Sequence, residues 1–181
     1  MKFLKTILTL FSIILFVSSM SAQDQKKQLP CSAPEYRAFD FWIGDWEVFT
    51  PDGKLVGTNH VKQLYNSCVI NENWIGAGGS EGESYNTYDP RTGTWSQVWV
   101  DNGGNTLHFE GHAAENAMLL RGESVDKDGN PLFFKLSFYH NPEEDTVRQV
   151  WESSKNEGKW QTIFEGIYKK KKADQDDSSG K

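Results

Sequence analysis

The chain has 181 residues, of which 37% are hydrophobic and 24% are charged, and its formal net charge is −6. Several of its basic residues are lysines near the two ends, so the stretch between the ends is more acidic, with a net charge of about −10. A domain of that charge repels phosphate backbones, which argues against nucleic acid as a partner. Without the ends about 140 residues remain, the size of one ordinary domain with a substantial core.

The first 22 residues have the three-part pattern of a secretory signal peptide. Lys2 and Lys5 precede the apolar run ILTLFSIILFV, and the small residues SSMSA follow it. The apolar run is shorter than the roughly 20 residues that span a bilayer, which disfavours an anchoring helix. We therefore predict cleavage after Ala22 and an exported mature protein, periplasmic or secreted, without a membrane span.

Cys31 and Cys68 are the only two cysteines of the chain. An exported chain meets an oxidising compartment, so one disulfide between them is the simplest interpretation, and two buried free thiols are the alternative. A disulfide would tie the predicted N-terminal segment, residues 23–38, to a strand. It would stabilise the fold by roughly 2 to 4 kcal/mol.

From residue 39 to residue 168, apolar and polar residues alternate between turn signals such as TPDGK, DNGGN and KNEGK. Sequential strands joined by short turns bury one face most simply as an all-β, antiparallel up-and-down β-barrel of about ten strands; a two-sheet sandwich is the competing architecture. Residues 169–181 include no apolar residue larger than alanine, which predicts a disordered charged tail. The predicted strands are at about 46–50, 56–65, 68–75, 83–89, 94–101, 105–111, 117–125, 131–140, 146–153 and 159–168.

The stretch FDFWIGDWEV, from Phe39 to Val48, resembles the first strand of the calycins, the superfamily of lipocalins and fatty-acid-binding proteins. In that group the tryptophan of a Gly-x-Trp motif packs across the closed base of the barrel. The resemblance gives this role to Trp46, with Gly44 letting the chain pass close. The stretches CSAPEYRAFDFWIGDWEV, CVINENWIG, YDPRTGTWSQVWVDNGG, LLRGES and RQVWES are together similar to a mostly uncharacterised family of exported bacterial calycin-like barrels. That similarity implies a fold and no particular function.

Two predicted strands carry the same Gln-Val-Trp sequence, in SQVWV and RQVWE. Side chains alternate along a strand, so Gln97 shares a face with Trp99, and Gln149 shares a face with Trp151. Arg148 marks the opposite face as the one in solvent, which turns the Gln/Trp faces inward. Amides beside indoles suit a cavity that holds a ligand by stacking and a few oriented hydrogen bonds. A plain aromatic core with satisfied amides is the alternative.

Glu72 lies in CVINENWI, where it shares a strand face with Ile70 and Trp74. If that face is interior, Glu72 is a carboxylate among apolar neighbours and its pKa is raised. It could then hold a hydroxyl or amine of a ligand, or act as a general acid or base. The alternative is that Glu72 pairs with Arg121 or lies at the barrel mouth in water. The candidate ligand-binding residues are Glu72, Trp74, Tyr88, Gln97, Trp99, Arg121, Gln149 and Trp151.

The stretch HFEGH repeats polar side chains at period two and could place His108, Glu110 and His112 on one strand face as metal ligands. Leu107 and Phe109 occupy the other face, and if they look inward the histidines face solvent. Neighbouring side chains on one face are about 7 Å apart along a strand, so one strand rarely supplies three ligands. We therefore predict no metal site and keep this set as a weak candidate.

Three classes of function remain open at this point. The preferred hypothesis is an exported binding protein whose barrel takes up a small apolar or aromatic ligand. The second is an isomerase, hydratase or lyase that uses Glu72 as acid and base in the same cavity, and the third is a structural protein with a filled barrel. The sequence specifies no cofactor, the expected partner is a small molecule, and we expect a monomer or a weak dimer.

Overall fold

The structure is a computed structural model, and it describes residues 29–171. Two short 3-10 helices, Pro34–Arg37 and Asp40–Trp42, precede ten strands. The predicted signal peptide and positions 172–181 of the predicted tail lie outside the described residues. None of the described helices is long and apolar enough to cross a membrane. The strands are β1 (Gly44–Phe49), β2 (Leu55–Leu64), β3 (Val69–Gly76), β4 (Glu81–Asp89), β5 (Thr94–Asp101), β6 (Thr106–Ala114), β7 (Ala117–Val125), β8 (Pro131–Asn141), β9 (Thr146–Ser154) and β10 (Gln161–Lys170).

The ten strands form one closed antiparallel barrel, in which each strand pairs with its neighbours in sequence and β1 pairs with β10. The predicted all-β, up-and-down barrel is confirmed. Closure leaves no unpaired edge, and each strand buries every second side chain, as Trp46 and Val48 show on β1. β10 continues to Lys170, so the first two lysines of the predicted tail belong to the barrel, where Lys169 pairs with Glu47.

Aspartates organise two of the turns that the sequence marked. In DNGGN, Asp101 accepts hydrogen bonds from the backbone N–H groups of Gly103 and Asn105. In DKDGN, Asp126 accepts them from Asp128 and Asn130. These backbone bonds replace ladder partners where the chain reverses, which is why short Asp/Asn/Gly turns can connect the strands.

The two ends of the barrel differ. The turns at 65–68, 90–93, 115–116 and 142–145 lie at one end, which we call the closed end because the N-terminal segment covers it. Phe39 is fully buried there, and its ring centroid lies 5.0 Å from those of Trp42 and Phe138 and 5.7 Å from that of Trp95. Phe39 and Trp42, which precede β1, therefore form an aromatic plug that seals this end. We call the opposite end, with the turns at 50–54, 77–80, 102–105, 126–130 and 155–160, the mouth end.

Trp46 is also buried at the closed end, and its indole Nε1 donates a hydrogen bond of 2.8 Å to the carbonyl oxygen of Trp42. Nζ of Lys170 lies over this indole, 3.8 Å from the ring centroid, and donates a 2.7 Å hydrogen bond to the carbonyl oxygen of Ile43. Gly44 has φ of 150°, and a Cβ at this position would lie 2.5 Å from Nζ of Lys170. The glycine thus makes room for Lys170, which connects the last strand, β10, to the residue that precedes the first strand, β1.

Cys31 and Cys68 form a disulfide, as predicted. It links the N-terminal segment to the turn between β2 and β3 at the closed end. A second tie is the Arg37 guanidinium, which forms an ion pair with Asp40 at 3.3 Å and donates a hydrogen bond to the carbonyl of Ser67. Covalent and polar contacts therefore both fix the plug to the barrel.

Candidate functional site

A cavity of about 400 Å³ lies inside the barrel above the plug and reaches the mouth end. Exposed residues of the mouth end, among them Glu81, Asn102, Asn105 and Ile163, contribute to its lining. The volume falls within the range of about 300 to 1,000 Å³ that is typical of small-molecule sites. The barrel interior is therefore filled at one end and hollow towards the other.

The walls of the cavity are aromatic. Inward positions of β3, β5 and β9 supply Trp74, Trp99 and Trp151, each of them half-buried. Phe164 packs edge-on against Trp74 at 5.9 Å between ring centroids, and Phe109 packs edge-on against Trp151 at 6.0 Å. Edge-on contacts hold the indoles in place and leave ring surface to the cavity.

A glycine on the neighbouring strand makes room for one of these indoles. Gly82 on β4 lies beside Trp99 on β5, and a Cβ at Gly82 would lie 2.4 Å from Cζ2 of that indole. No side chain fits in that space, so the ring of Trp99 lies against the backbone of β4. The position of the Trp99 indole therefore depends on residues of both β4 and β5.

Glu72 on β3 lines the cavity and is only 5% exposed. One carboxylate oxygen accepts a hydrogen bond from Nδ2 of Asn59 at 2.7 Å, and the other accepts one from Oγ of Ser84 at 2.6 Å. Burial raises the pKa of Glu72 to about 7, although both hydrogen bonds oppose the shift. The carboxyl group therefore exchanges its proton near neutral pH.

Hydrogen bonds extend from Glu72 in both directions around the barrel. On one side, Nδ2 of Asn59 lies 3.4 Å from the hydroxyl of Tyr168, which donates in turn to Oε1 of Gln149. Burial, and after it the charge of Glu72, raises the pKa of Tyr168 well above its ordinary value, so this phenol keeps its proton. The link joins β3 to β2, β10 and β9.

The other side of this network uses amides and a hydroxyl on β4 and β5. Nε2 of Gln97 donates to Oδ1 of Asn86 at 2.7 Å, and Nδ2 of Asn86 lies 3.0 Å from Oγ of Ser84. Ser84 in turn donates to Glu72. The two glutamines of the repeated Gln-Val-Trp sequence are thus the two ends of one polar chain with Glu72 between them, and both ends line the cavity.

The structure brings together six of the eight predicted ligand-binding residues and places the other two elsewhere. Tyr88 packs at the closed end, where its ring centroid lies 5.1 Å from that of Tyr36 and 5.9 Å from that of Trp95. Arg121 is exposed on the outer face and forms an ion pair of 3.5 Å with Glu157, so it does not pair with Glu72. The six that line the cavity are Glu72, Trp74, Gln97, Trp99, Gln149 and Trp151.

The weak metal candidates lie on the outer face of β6. His108, Glu110 and His112 are all exposed, whereas Phe109 between them is buried. Nδ1 of His112 lies 3.0 Å from the carbonyl oxygen of Gly93. Within residues 29–171, no group of three or more His, Cys, Asp or Glu side chains is arranged to hold a metal ion.

Sequence reasoning missed the partners of Glu72. Asn59, Ser84, Asn86 and Tyr168 are all buried and polar, and they supply the hydrogen bonds of the network. A signal was present on β4, where Ser84 and Asn86 occupy consecutive inward positions. Polar residues in consecutive inward positions indicate a polar site rather than a core.

The fold and the cavity define the class of protein: a closed ten-stranded antiparallel β-barrel with an internal cavity at one end. A scan against protein-family models gave no match to this chain, and a search of curated proteins also gave none.

Proposed function

We propose that the protein is an exported, calycin-like binding protein that takes up a small apolar or aromatic ligand in its barrel. The observation that carries the proposal is the cavity of about 400 Å³, which has aromatic walls and a buried polar network beside them. Apolar walls with a few placed polar groups are the usual composition of a small-molecule site. The plug leaves the mouth end as the route for a ligand.

Export is part of the same proposal. It is supported by the signal-peptide pattern of the first 22 residues and by the disulfide between Cys31 and Cys68, since such bonds persist in oxidising compartments. The expected partner is a small molecule, with no nucleic acid, and the protein acts as a monomer or weak dimer. Assignment to the exported bacterial family of calycin-like barrels rests on the sequence stretches quoted above.

Native mass spectrometry of the mature protein, purified gently from an exporting host, tests the proposal directly. A bound small molecule of one-to-one stoichiometry, released in a denatured run, is the expected result. Titration with the neutral fluorescent probe N-phenylnaphthylamine is the second measurement, because a probe in the cavity quenches the indoles that line it. A clean apo mass together with no response to the probe would exclude a binding protein and leave a structural barrel or a transiently occupied enzyme.

Replacing Trp99 by alanine is expected to weaken binding of this probe roughly tenfold, or by about 1.4 kcal/mol, because the probe loses the apolar surface that it buries against the indole. Fluorescence titration measures the change. Trp160→Ala is the matched control, since Trp160 lies outside the cavity lining, with Nζ of Lys135 3.9 Å from its ring centroid. Equal affinities of Trp99→Ala and the unmodified protein would contradict the placement of the ligand.

An enzyme is the second candidate, and the observation that favours it is Glu72. A buried carboxyl group with a pKa of about 7 can give or take a proton at neutral pH, as an isomerase, hydratase or lyase requires. The amides of Gln97 and Gln149 would then polarise a carbonyl or hydroxyl of the substrate. In this case Glu72→Gln abolishes turnover and keeps substrate binding. A variant that retains both turnover and binding would exclude Glu72 as the acid and base.

A further inference from the structure

We infer that the cavity selects a ligand that carries a protonated amine on an apolar or aromatic body, with the ammonium group bound by Glu72. The inference rests on the proposed binding function and names the chemical class of its ligand. It follows from the charges of the cavity lining, from the unfilled bonding capacity of Glu72 and from the indole walls.

The charged side chains of the lining are all acidic. Glu72 lies at the inner end, and Glu81 and Asp101 lie near the mouth, whereas the lining includes no lysine, arginine or histidine among the described residues. A ligand with a carboxylate would meet no opposite charge and would face three carboxyl groups. A cation would meet attraction at the mouth and again at Glu72, so the potential of the cavity favours ammonium over carboxylate ligands.

Glu72 has capacity left for such a cation. An ionised carboxylate offers about four acceptor positions, and Asn59 and Ser84 occupy one on each oxygen. Both donors are neutral, and Glu72 forms no ion pair within residues 29–171. Among those residues Oε1 of Gln97 also has no hydrogen-bond donor. The free acceptor positions of Glu72 can take N–H groups of an ammonium ion, and Gln97 offers a further neutral acceptor in the same lining.

The indole walls of the cavity also favour binding of a cation. The electron-rich face of an aromatic ring attracts cations, and indole is the strongest of the protein side chains in this respect. Trp74, Trp99 and Trp151 surround the same space as Glu72. The lining thus combines one buried carboxyl group with three indoles, which is a favourable environment for an organic cation and an unfavourable one for an organic anion.

Binding of the ammonium is coupled to the protonation of Glu72. Free Glu72 has a pKa of about 7, and only its ionised form pairs with a cation. The other titratable lining groups are Tyr168, whose pKa is raised, Glu81, and Asp101, whose pKa is lowered. The amine is therefore expected to bind about tenfold more tightly at pH 8 than at pH 6, where most Glu72 is protonated.

Three matched probes test the inference: phenethylamine, phenethyl alcohol and phenylacetate, which share a phenyl ring and differ in head group. Calorimetric titration at pH 6 and pH 8 measures their affinities. We expect the amine to bind roughly tenfold or more tightly than the alcohol at pH 8, the carboxylate to bind weakest, and only the amine to gain affinity from pH 6 to pH 8.

Two variants assign the effect to Glu72. Glu72→Gln removes the buried charge and should abolish the pH dependence of amine binding and most of the preference for the amine, leaving only what Glu81, Asp101 and the indoles contribute. Glu110→Gln removes an exposed carboxylate on the outer face and should leave both unchanged. An undiminished preference, or an unchanged pH dependence, in Glu72→Gln would overturn the role of Glu72.

The results also separate this inference from the proposed binding function. Equal or tighter binding of the alcohol or the carboxylate overturns the selection of amines and leaves a binding protein for other ligands. If none of the three probes binds while N-phenylnaphthylamine does, the selection of amines is likewise overturned and the binding function stands. If that probe also fails and native mass spectrometry shows no bound molecule, both are overturned.

Discussion

Replacing Glu72 by glutamine is expected to make the protein more stable at pH 8, by about 3 kcal/mol, and to change stability little below about pH 4.5. Burial raises the pKa of this carboxyl group from 4.5 to about 7 in the folded protein. A difference of that size between the two states corresponds to about 3 kcal/mol at about 1.4 kcal/mol for each pKa unit.

The direction of this effect follows from proton binding. Below about pH 4.5 Glu72 is protonated in both states, and burial of the neutral acid has no charge penalty. Between about pH 4.5 and 7 the unfolded chain loses the proton while the folded protein keeps it, so stability falls as the pH rises. Above about pH 7 both states are ionised and the full penalty remains. Glutamine stays neutral throughout, and a flip of the Asn59 amide, whose Oδ1 has no partner among the described residues, would let Oδ1 accept a hydrogen bond from it.

Urea unfolding followed by tryptophan fluorescence from pH 4.5 to pH 8 measures the difference between the two proteins. Other groups titrate in the same range, and subtracting the curve of the variant from that of the unmodified protein removes their contribution. Glu110→Gln changes the net charge equally on the outer face and should leave the pH dependence as it is. Parallel curves for the unmodified protein and Glu72→Gln would refute a raised pKa at Glu72.

An unneutralised carboxylate inside a barrel is a destabilising feature that a ligand can relieve. Its neighbours Asn59 and Ser84 donate hydrogen bonds but provide no charge, and the penalty therefore persists at neutral pH. A bound ammonium would lower the pKa of Glu72 and remove much of the penalty. If Glu72 binds the ammonium group as we propose, the same residue lowers the stability of the free protein and selects the ligand of the bound one, as is common where function requires buried polar groups.

The alternation of residues was sufficient to predict the barrel and part of the site. It predicted the ten strands, and it placed Gln97 with Trp99 and Gln149 with Trp151 on inward faces, which the structure confirms as positions in the lining. The same rule correctly applied would also have placed Arg121 outside, because its neighbours Leu120 and Gly122 are the buried ones.

Alternation predicts which face of the sheet a side chain occupies. It does not predict the position of that side chain along the barrel axis or its neighbours on adjacent strands. Tyr88 has the same parity as Ser84 and Asn86, yet it lies at the closed end, beside Trp95. Asn59 and Tyr168 come within hydrogen-bonding distance although they are 109 residues apart, because β1 closes the barrel between β2 and β10. Such partners depend on the register of every strand pair, which no local pattern determines.

The plug explains the large apolar residues that precede the first strand. The calycin resemblance gives closure of the barrel to Trp46 alone, whereas Phe39 and Trp42 are fully buried at the same end. These residues lie in and beside a 3-10 helix and follow neither a helical nor a strand period. Periodicity therefore could not identify them, and only the packing of rings from β5 and β8 does so.

Phe39→Ala is expected to destabilise the protein by about 3 to 5 kcal/mol, which is the usual cost of removing a fully buried phenylalanine. Phe39 is 0% exposed and contacts the rings of Phe41, Trp42, Trp95 and Phe138. These neighbours are held by two strands and by the helix that follows, so they cannot collapse into the space left by the missing ring. The loss of transfer free energy and the remaining cavity therefore add.

Phe41→Ala is the matched control for this variant. Phe41 is the same residue type two positions along the chain, but it is only half-buried and stacks on the imidazole of His140 at 5.2 Å between centroids. Its removal should cost clearly less in the free energy of urea unfolding. Phe39 does not line the cavity, so the folded fraction of Phe39→Ala should still bind N-phenylnaphthylamine with the affinity of the unmodified protein. Equal stability losses for the two variants would show that Phe39 does not seal the closed end, since a ring that is central to the packing must contribute more than one at its edge.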